Sequence, residues 1–377
     1  MLRYLDNRIR NDLRKKMVVL TGPRQVGKTT LGQQLLAEMP GSQYLNFDVA
    51  AHRSVIQAQG WRQSAPLLVL DEIHKMRDWK SWLKGVFDGR APGQQVLVTG
   101  SARMDTFRQS GDSLAGRYFR LRLHPLSVRE WSEQVPAEPQ AALSTLLVRG
   151  GFPEPALAAT AVDAQRWRTD YFAGLVREDV LEFSRLHEVG VMRLFAEMLR
   201  SRVGSPLSLA SLARDLNVSP VTLTRYLGIL EALFIVFVVR PWHRNIGRAT
   251  LQAPKVYFYD TGLVQGDDGL LFENLVACHL LKLVQWQQDT RGAAVDLHYI
   301  RTKDDAEVDF ALSEGDLLTH LVECKLSDHK PHRSLGRFAE QWPQARAVQL
   351  VRECKTEADH GRLQIRDAAP WLAALEV

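Results

Sequence analysis

The sequence predicts a mixed α/β protein of three parts: a domain built on a parallel sheet, a helical segment, and a second α/β domain. Apolar runs that end in polar residues recur in the first part, as expected for parallel strands buried on both faces. Helical spacing dominates the middle, and strand alternation returns near the end. At 377 residues the chain exceeds the size at which one core usually keeps growing. We place the three parts at residues 1–150, 151–254 and 255–377.

Charge and composition narrow the class of protein. The net charge of +5 is compatible with a polyanionic partner, although proteins without such a partner often carry a similar excess. The three cysteines lack CxxC spacing, which indicates a reducing compartment. The first residues lack the apolar core of a secretion signal, and the longest apolar run, LFIVFVV, is too short to span a bilayer. We therefore expect a cytoplasmic protein without membrane contact.

The stretch TGPRQVGKTT, directly after the apolar run MVVL, matches the pattern GxxxxGK[ST]. In such a loop, backbone N–H groups surround phosphate oxygens at the start of a helix, and the amphipathic stretch TTLGQQLLAEM supplies that helix. Lys28 is expected on the β and γ phosphates, and Thr29 on Mg²⁺. The residues predicted to bind ATP are Gly22, Pro23, Arg24, Gln25, Val26, Gly27, Lys28, Thr29 and Thr30.

A second apolar run, LLVLDE at 67–72, ends in two carboxylates. The carboxyl end of a central parallel strand faces the phosphates, so Asp71 is expected to hold Mg²⁺ through water. Glu72 is expected to polarise the attacking water. Carboxylates at strand ends otherwise cap helices, but their pairing with the phosphate loop favours the catalytic interpretation.

Two further residues are candidates for contact with the γ-phosphate. The run QVLVTGS at 95–101 places Thr99 or Ser101 at a strand end, where a polar side chain could sense the phosphate or merely cap a turn. Arg117, in SLAGRYFRLRLHPL, could act as an arginine finger on a neighbouring subunit of a homo-oligomer. A solvated surface arginine is the alternative.

The stretches GPRQVGKTT, LLVLDEIHK, VLVTGSAR and SLAGRYFRLRLHPLSVREW resemble the AAA+ superfamily. With GGFPEP, the later LNVSPVTLTRYLGILE and KVYFYDTGL, the chain looks most like bacterial and archaeal ATPases that couple an AAA-type module to a C-terminal domain of unknown function. This resemblance covers nearly the whole chain. It implies ATP binding and hydrolysis, and its members are often linked to DNA transactions.

The middle segment carries a helix-turn-helix pattern in SLASLARDLNVSPVTLTRYLGILEALF. Asn217 occupies the turn, where it tolerates left-handed geometry, and Ser219 caps a second helix that begins with Pro220. The apolar run LFIVFVV after these helices indicates a winged variant. The residues predicted to meet DNA are Thr222, Thr224, Arg225, Arg244 and Arg248. Winged helices also bind proteins, so both partners stay open.

In the last part, AEVDFALS and LLTHLVECKLS read as neighbouring strands. Alternation places Asp309 on the face opposite Val308 and Phe310, and it places Glu323 and Lys325 together. If the strands pair in register, the two carboxylates could coordinate a divalent cation beside the lysine.

This D…ExK arrangement resembles the PD-(D/E)xK nuclease superfamily, in which Glu273 would be an additional acid on the first helix. An exposed ion pair is the alternative explanation. The sequence therefore predicts an ATPase that acts on DNA through its winged helix and a restriction-endonuclease-like domain. Two alternatives stay open: a signalling ATPase that binds proteins through its C-terminal modules, and a metal-dependent nuclease licensed by ATP.

Overall fold

The computed structural model describes residues 2–100, 114–135, 137–175, 186–243, 253–327 and 330–376. The chain forms two compact units, Met1–His124 and Pro125–Val377. Ser101, Arg244 and Arg248 lie outside the described residues.

The first unit is built on a parallel sheet with helices between the strands. Its strands are β1 (Met17–Thr21), β2 (Gln43–Asn46), β3 (Leu67–Asp71), β4 (Gln95–Thr99) and β5 (Tyr118–Arg122). Its helices are α1 (Asp6–Leu13), α2 (Lys28–Glu38), α3 (Ala50–Gln57) and α4 (Trp79–Gly89). A 3-10 turn, Ile73–Lys75, follows β3.

The strand order in this sheet is β2-β3-β4-β1-β5, and the paired strands run parallel. Residues of β1 and β3 are buried throughout, which explains their unbroken apolar runs. The register pairs Asp71 with Asn46 on one side and with Thr99 on the other, and Thr99 also pairs with Leu20. Because the strands are parallel, these residues meet at one edge of the sheet, together with the loop that follows β1.

The second unit combines ten helices and eight strands among the described residues. The helices are α5 (Val128–Gln134), α6 (Pro139–Arg149), α7 (Pro153–Ala156), α8 (Ala161–Gly174), α9 (Leu186–Arg200), α10 (Leu209–Asp215), α11 (Pro220–Ala232), α12 (Asp268–Arg291), α13 (Arg333–Gln341) and α14 (Ala368–Ala373). The strands are β6 (Val236–Pro241), β7 (Lys255–Phe258), β8 (Val295–Arg301), β9 (Glu307–Glu314), β10 (Leu317–Lys325), β11 (Arg346–Val351), β12 (Ala358–His360) and β13 (Leu363–Asp367). A 3-10 turn, Thr261–Leu263, follows β7. No described helix is long and apolar enough to cross a membrane.

Two helices joined by a turn occur where the sequence predicted a helix-turn-helix. Helices α10 and α11 are joined by a short turn in which Asn217 has a φ of 53°. The side chain of Ser219 accepts the N–H of Thr222 at 3.0 Å, and Pro220 is the first residue of α11. These local signals, a left-handed residue followed by a capped helix with proline at its start, were sufficient to predict the turn.

The strand after this turn belongs to a larger sheet. Strand β6 pairs antiparallel with β7, as a wing would, but it also pairs parallel with β8 through Arg240 and His298. The eight-stranded order is β12-β13-β11-β10-β9-β8-β6-β7. Strand β6, which the sequence placed in the middle part, is therefore continuous with the sheet of the C-terminal part.

Residues 125–150 belong to the second unit, although the sequence predicted a first domain that extends to residue 150. Helix α12 holds them through buried polar contacts. The ammonium of Lys282 pairs with Glu130 and donates to the carbonyl of Pro125 at 3.2 Å. His279 Nε2 accepts the N–H of Val128 at 2.9 Å. These contacts span more than a hundred residues of sequence, so no local pattern predicts them.

The buried pair of Lys282 and Glu130 provides a test of this anchoring. Lys282→Met should lower the free energy of unfolding of the second unit by about 3 kcal/mol, because it leaves a buried carboxylate without its cation. The double variant Lys282→Met/Glu130→Gln should recover much of this loss. Urea titration followed by circular dichroism measures both. Arg129→Met, which removes an exposed pair with Glu133, is the control and should cost less than about 1 kcal/mol. If the control and Lys282→Met lost the same free energy of unfolding, the buried pair would not anchor residues 125–150 to α12.

Candidate functional site

The loop after β1 takes a conformation that requires glycine at two positions. Gly22 has a φ of 144° and Gly27 a φ of 100°. A Cβ on Gly22 would lie 2.3 Å from the carbonyl oxygen of Leu123, so a side chain is excluded there for two reasons. Gln25 also has a positive φ, of 59°. Of the other predicted residues, the buried ones are Pro23, Val26 and Lys28, Arg24 is half-buried, and the exposed ones are Gln25, Thr29 and Thr30.

The ammonium of Lys28 lies against this loop. It donates to the carbonyl oxygens of Gly22 at 2.9 Å and of Pro23 at 2.6 Å. Lys28 is the first residue of α2 and is buried. The start of a helix directs backbone N–H groups and positive dipole charge at the same place, so the loop is suited to an anion such as a polyphosphate.

The carboxylate of Asp71 accepts hydrogen bonds from three hydroxyl groups at the edge of the sheet. It accepts hydrogen bonds from Thr29 Oγ1 at 2.9 Å, from Tyr44 Oη at 2.7 Å and from Thr99 Oγ1 at 2.5 Å. Thr29 and Asp71, the predicted magnesium ligands, are thus brought together, and their hard oxygens are the donors that Mg²⁺ prefers. Burial and the neighbouring Asp71 raise the pKa of Tyr44 well above its usual value, so its hydroxyl stays a donor.

Glu72 follows Asp71 in a left-handed conformation, with a φ of 59°. Its N–H donates to the carbonyl of Thr99 at 3.1 Å, which ties it to β4. Its carboxylate lies 3.6 Å from His74 Nε2 and 3.6 Å from Lys75 Nζ. Burial, and next the charge of Asp71, raise the pKa of Glu72 above its usual value. A raised carboxyl pKa makes Glu72 a better proton acceptor than an ordinary surface glutamate.

Two residues near the start of the chain, Arg3 and Tyr4, support the phosphate loop. They were not predicted from the sequence. Arg3 is buried and donates to the carbonyl of Val26 at 2.7 Å and to that of His124. The hydroxyl of Tyr4 donates to the carbonyl of Arg122 and accepts the N–H of His124 at 3.2 Å. Together they tie the phosphate loop to the end of β5. No motif marks these residues, because the bonds use backbone carbonyls distant in sequence.

Arg117 does not lie at the phosphate loop of its own chain. Its carbonyl accepts the N–H of Met17, so it stands at the amino end of β1, while the loop follows the carboxyl end. Its guanidinium makes two bonds to Asp88, at 2.8 and 2.9 Å. A role toward a neighbouring subunit stays a prediction. Of the two predicted phosphate sensors, Ser101 lies outside the described residues, and Thr99 bonds to Asp71.

The candidate DNA-contacting residues of α11 are held by their own helix. Thr222 Oγ1 lies 2.8 Å from the hydroxyl of its cap Ser219, and Thr224 donates to the carbonyl of Pro220 at 3.0 Å. The guanidinium of Arg225 lies 5.3 Å from the ring centre of Tyr226. Thr224 and Arg225 are exposed on the side of α11 opposite its buried residues. Contact with DNA through this face stays a prediction.

In the second unit, the predicted acidic cluster does assemble. The N–H of Asp309 donates to Glu323 Oε2 at 3.3 Å, and the N–H of Cys324 donates to Asp309 Oδ2 at 2.9 Å. Lys325 Nζ lies 2.7 Å from Glu323 Oε1. The pairing of Val322 with Phe310 sets this register, as the alternation of side chains predicted.

A further lysine, Lys255, lies inside this cluster and was not among the residues predicted from the sequence. Lys255 Nζ is 2.6 Å from Glu307 Oε1, 3.6 Å from Glu273 Oε1 and 3.9 Å from Asp309 Oδ1. Glu273 reaches the cluster from α12, as predicted, and also accepts the hydroxyl of Tyr257 at 2.7 Å. The feature of the sequence that could have indicated this contact is a lysine as the first residue of the apolar strand KVYF.

Burial, reinforced by the charge of Asp309, raises the pKa of Glu273 to about 7 and that of Glu323 to about 8. Burial lowers the pKa of Lys255, but the carboxylates around it outweigh this and raise that pKa well above its usual value. Across the described part of the chain, no group of three or more His, Cys, Asp or Glu side chains is arranged to hold a metal ion.

Comparison with family models assigns the class of the first unit. Residues 14–132 match the model described as an AAA domain. Residues 140–267 and 268–371 match two domains of unknown function (DUF8612 and DUF4143). The AAA match coincides with the loop, with Asp71 and with the parallel sheet described above. The first unit is therefore an AAA-type P-loop ATPase domain.

Relatives define the family of the whole chain. The uncharacterized protein Rv2008c of Mycobacterium tuberculosis is 31% identical over 303 residues, which cover 78% of this chain and 67% of the relative. This chain belongs to the family of that mycobacterial protein. An uncharacterized protein of Haemophilus influenzae is 23% identical over 338 residues, covering 80% of this chain and 81% of the relative.

Among solved structures, a Walker-type ATPase of Pyrococcus abyssi overlays with a TM-score of 0.43 and 15% identity, covering 68% of this chain and 93% of that chain. RuvB of Thermotoga maritima overlays with a TM-score of 0.31 and 16% identity, covering 62% of this chain and 88% of that chain. Both scores lie below 0.5, so the assignment rests on the family match and the sequence relatives.

The support that Arg3 gives to the loop leads to a prediction. Arg3→Met should weaken binding of a fluorescent ATP analogue about tenfold, equivalent to about 1.4 kcal/mol, because the loop loses its bond at Val26 and must be ordered by the ligand. Arg10→Met, which removes an exposed pair with Glu38, is the control and should leave the dissociation constant unchanged. Circular dichroism checks that both variants are folded. A folded Arg3→Met variant with unchanged affinity would contradict this role.

Proposed function

We propose that this protein binds and hydrolyses ATP with Mg²⁺ and couples the hydrolysis to action on DNA. The observation that supports the ATPase most directly is the position of Glu72. It follows the carboxylate that bonds to Thr29, the residue directly after Lys28. Phosphate binding, metal binding and activation of water are thereby assigned to adjacent groups at one edge of the sheet.

The phosphates would be bound by the backbone N–H groups of residues 22–29 and by Lys28. On binding, the ammonium of Lys28 exchanges the carbonyls of Gly22 and Pro23 for phosphate oxygens. Thr29 would hold Mg²⁺ directly and Asp71 through water, and the ion would supply positive charge against the phosphate oxygens. The bonds from Tyr44 and Thr99 orient the Asp71 carboxylate before any ligand arrives, so little reorganisation is needed.

Glu72 is proposed to take a proton from the attacking water. Its raised pKa brings its basicity closer to neutral pH, where a general base is most effective. The positive charge of Lys75 opposes this rise in pKa. The neighbouring Asp71 has a different task, since its oxygens are already occupied by three hydroxyl groups.

Action on DNA rests on α11 and on the charge of the chain. The exposed face of α11 carries Thr224 and Arg225, which are suited to a groove and its phosphates. The net charge of +5 favours a polyanion. Arg244 and Arg248 are proposed to add phosphate contacts, and Arg117 to complete the ATP site of a neighbour in a homo-oligomer.

A second candidate function is metal-dependent cleavage of DNA by the C-terminal module. The observation in its favour is that Asp309, Glu323 and Lys325 come together with Glu273 on one face of the sheet. A third candidate function is signalling, in which α11 binds a protein.

The experiment on Arg225 of α11, described below, distinguishes the signalling function from DNA binding.

The ATPase proposal predicts two different defects. Glu72→Gln should retain ATP binding but lower the turnover number at least about a hundredfold, because the amide cannot accept a proton. Lys28→Ala should instead weaken nucleotide binding, because a phosphate contact is lost. Phosphate release assays and titration with a fluorescent analogue measure the two effects. Normal turnover by Glu72→Gln would show that another group activates the water.

The DNA proposal predicts that single-stranded, duplex or branched DNA raises the ATPase rate and that binding weakens steeply with salt. Arg225→Ala should weaken DNA binding about tenfold without changing the unstimulated ATPase rate. Arg214→Ala, on the neighbouring helix α10, is the matched control. Fluorescence anisotropy with labelled DNA at two salt concentrations measures the binding. Absence of both binding and stimulation on all three forms of DNA would favour the signalling function.

A further inference from the structure

Lys255 occupies the centre of the acidic cluster of the second unit. It begins β7 and pairs with Val239 of β6, so the backbone holds it in the sheet. Only 1% of the surface of Lys255 is exposed to solvent. Its ammonium contacts carboxylates from both α12 and β9. A buried ammonium is stable only where opposite charges surround it, and three carboxylates do so here.

The oxygens that a metal would need already have donors within the protein. Asp309 Oδ2 accepts the N–H of Cys324, and Glu323 Oε2 accepts that of Asp309. Glu323 Oε1 is paired with Lys325, and Asp309 Oδ1 faces Lys255. Divalent cations require several carboxylate oxygens directed at one shared point. Within the described ranges, no three His, Cys, Asp or Glu side chains are arranged to hold a metal in this way, and the acids of the D…ExK pattern face Lys255 and Lys325 instead.

We propose that the ammonium of Lys255 is the resident cation of this cluster and takes the place of a divalent metal. The residues present therefore do not fit the magnesium that a nuclease of this type implies. An ammonium neutralises charge, but it cannot lower the pKa of a bound water as a metal does. On this inference, the second candidate function, metal-dependent cleavage of DNA, is not carried out by the C-terminal module.

Neighbouring groups hold the side chain of Lys255 and its carboxylate partners in the cluster. Its ammonium lies 5.2 Å from the ring centre of Tyr299, within the range of a cation–π interaction. The backbone of Gly204 closes on Glu273, since a Cβ at that glycine would lie 2.6 Å from Glu273 Oε1. Arg301 holds the second oxygen of Glu307 at 3.0 Å. The lysine and two of its carboxylates are thus fixed from several elements.

Titration of the full-length protein with Mn²⁺ by calorimetry, without nucleotide, tests this inference. The proteins compared are the wild type, Asp309→Asn, Lys255→Met and Lys255→Met/Asp309→Asn. Mn²⁺ binding is attributed to the acidic cluster only if Asp309→Asn removes it. Mn²⁺ that binds near Thr29 and Asp71 is unaffected by that substitution and is therefore left out of the comparison. The result is therefore independent of the ATPase proposal.

The wild type is expected to show no Mn²⁺ binding that Asp309→Asn removes. Lys255→Met should gain one Mn²⁺ site that the wild type lacks, and the double variant should lose this site. Mn²⁺ should also raise the melting temperature of Lys255→Met, because a ligand of the folded state stabilises it. If Lys255→Met alone does not fold, Lys255→Met/Glu307→Gln replaces it, since one charge of each sign is removed.

Two results of the titration would overturn the proposal. One is a wild-type Mn²⁺ site that Asp309→Asn abolishes, since the carboxylates would then bind a metal with Lys255 in place. The other is a folded lysine variant that gains no Mn²⁺, since Lys255 would then not be occupying a metal position. Cleavage of DNA by the wild type with Mn²⁺, lost on Lys325→Ala, would equally contradict the inference.

Discussion

In the first unit, the carboxylate of Asp71 accepts hydrogen bonds from Thr29, Tyr44 and Thr99, each from a different element. This contact exists because β2, β3 and β4 are parallel neighbours whose carboxyl ends meet at one edge. The loop that contains Gly22 and Lys28 ends at the same edge. Glu72 derives its position from this arrangement too, since its N–H bonds to the next strand. Without the parallel register, none of these side chains would share a site.

The second unit relies on buried charges that join distant segments. Lys282 and Glu130 connect α12 to α5, and Lys255 connects β7 to carboxylates of α12 and β9. Such pairs contribute little net stability compared with apolar packing, but removing one partner is costly. They therefore specify which segments belong together. In this chain they place residues 125–150 with the C-terminal sheet.

Much of the secondary structure was predictable from local patterns. The strand at Glu307–Glu314 follows from side-chain alternation, and the turn at Asn217 follows from the capping signal of Ser219. The phosphate loop was predictable because its glycines and lysine occur at fixed spacing within ten residues. The bond of Arg3 to Val26, the bond of Tyr44 to Asp71 and the carboxylate contacts of Lys255 were not predictable, since these partners lie more than fifteen residues away and no spacing rule relates them.

By itself, the sequence determined the identity of the phosphate-binding loop, the carboxylates that follow β3, and the two facing acids of β9 and β10. These features depend on backbone geometry and on side-chain alternation within one or two elements, which local sequence specifies. Only the tertiary structure decided that β6 and β7 join the eight-stranded sheet and that a lysine fills the acidic cluster. Those outcomes depend on burial and charge compensation between elements far apart in the chain, which no local pattern encodes.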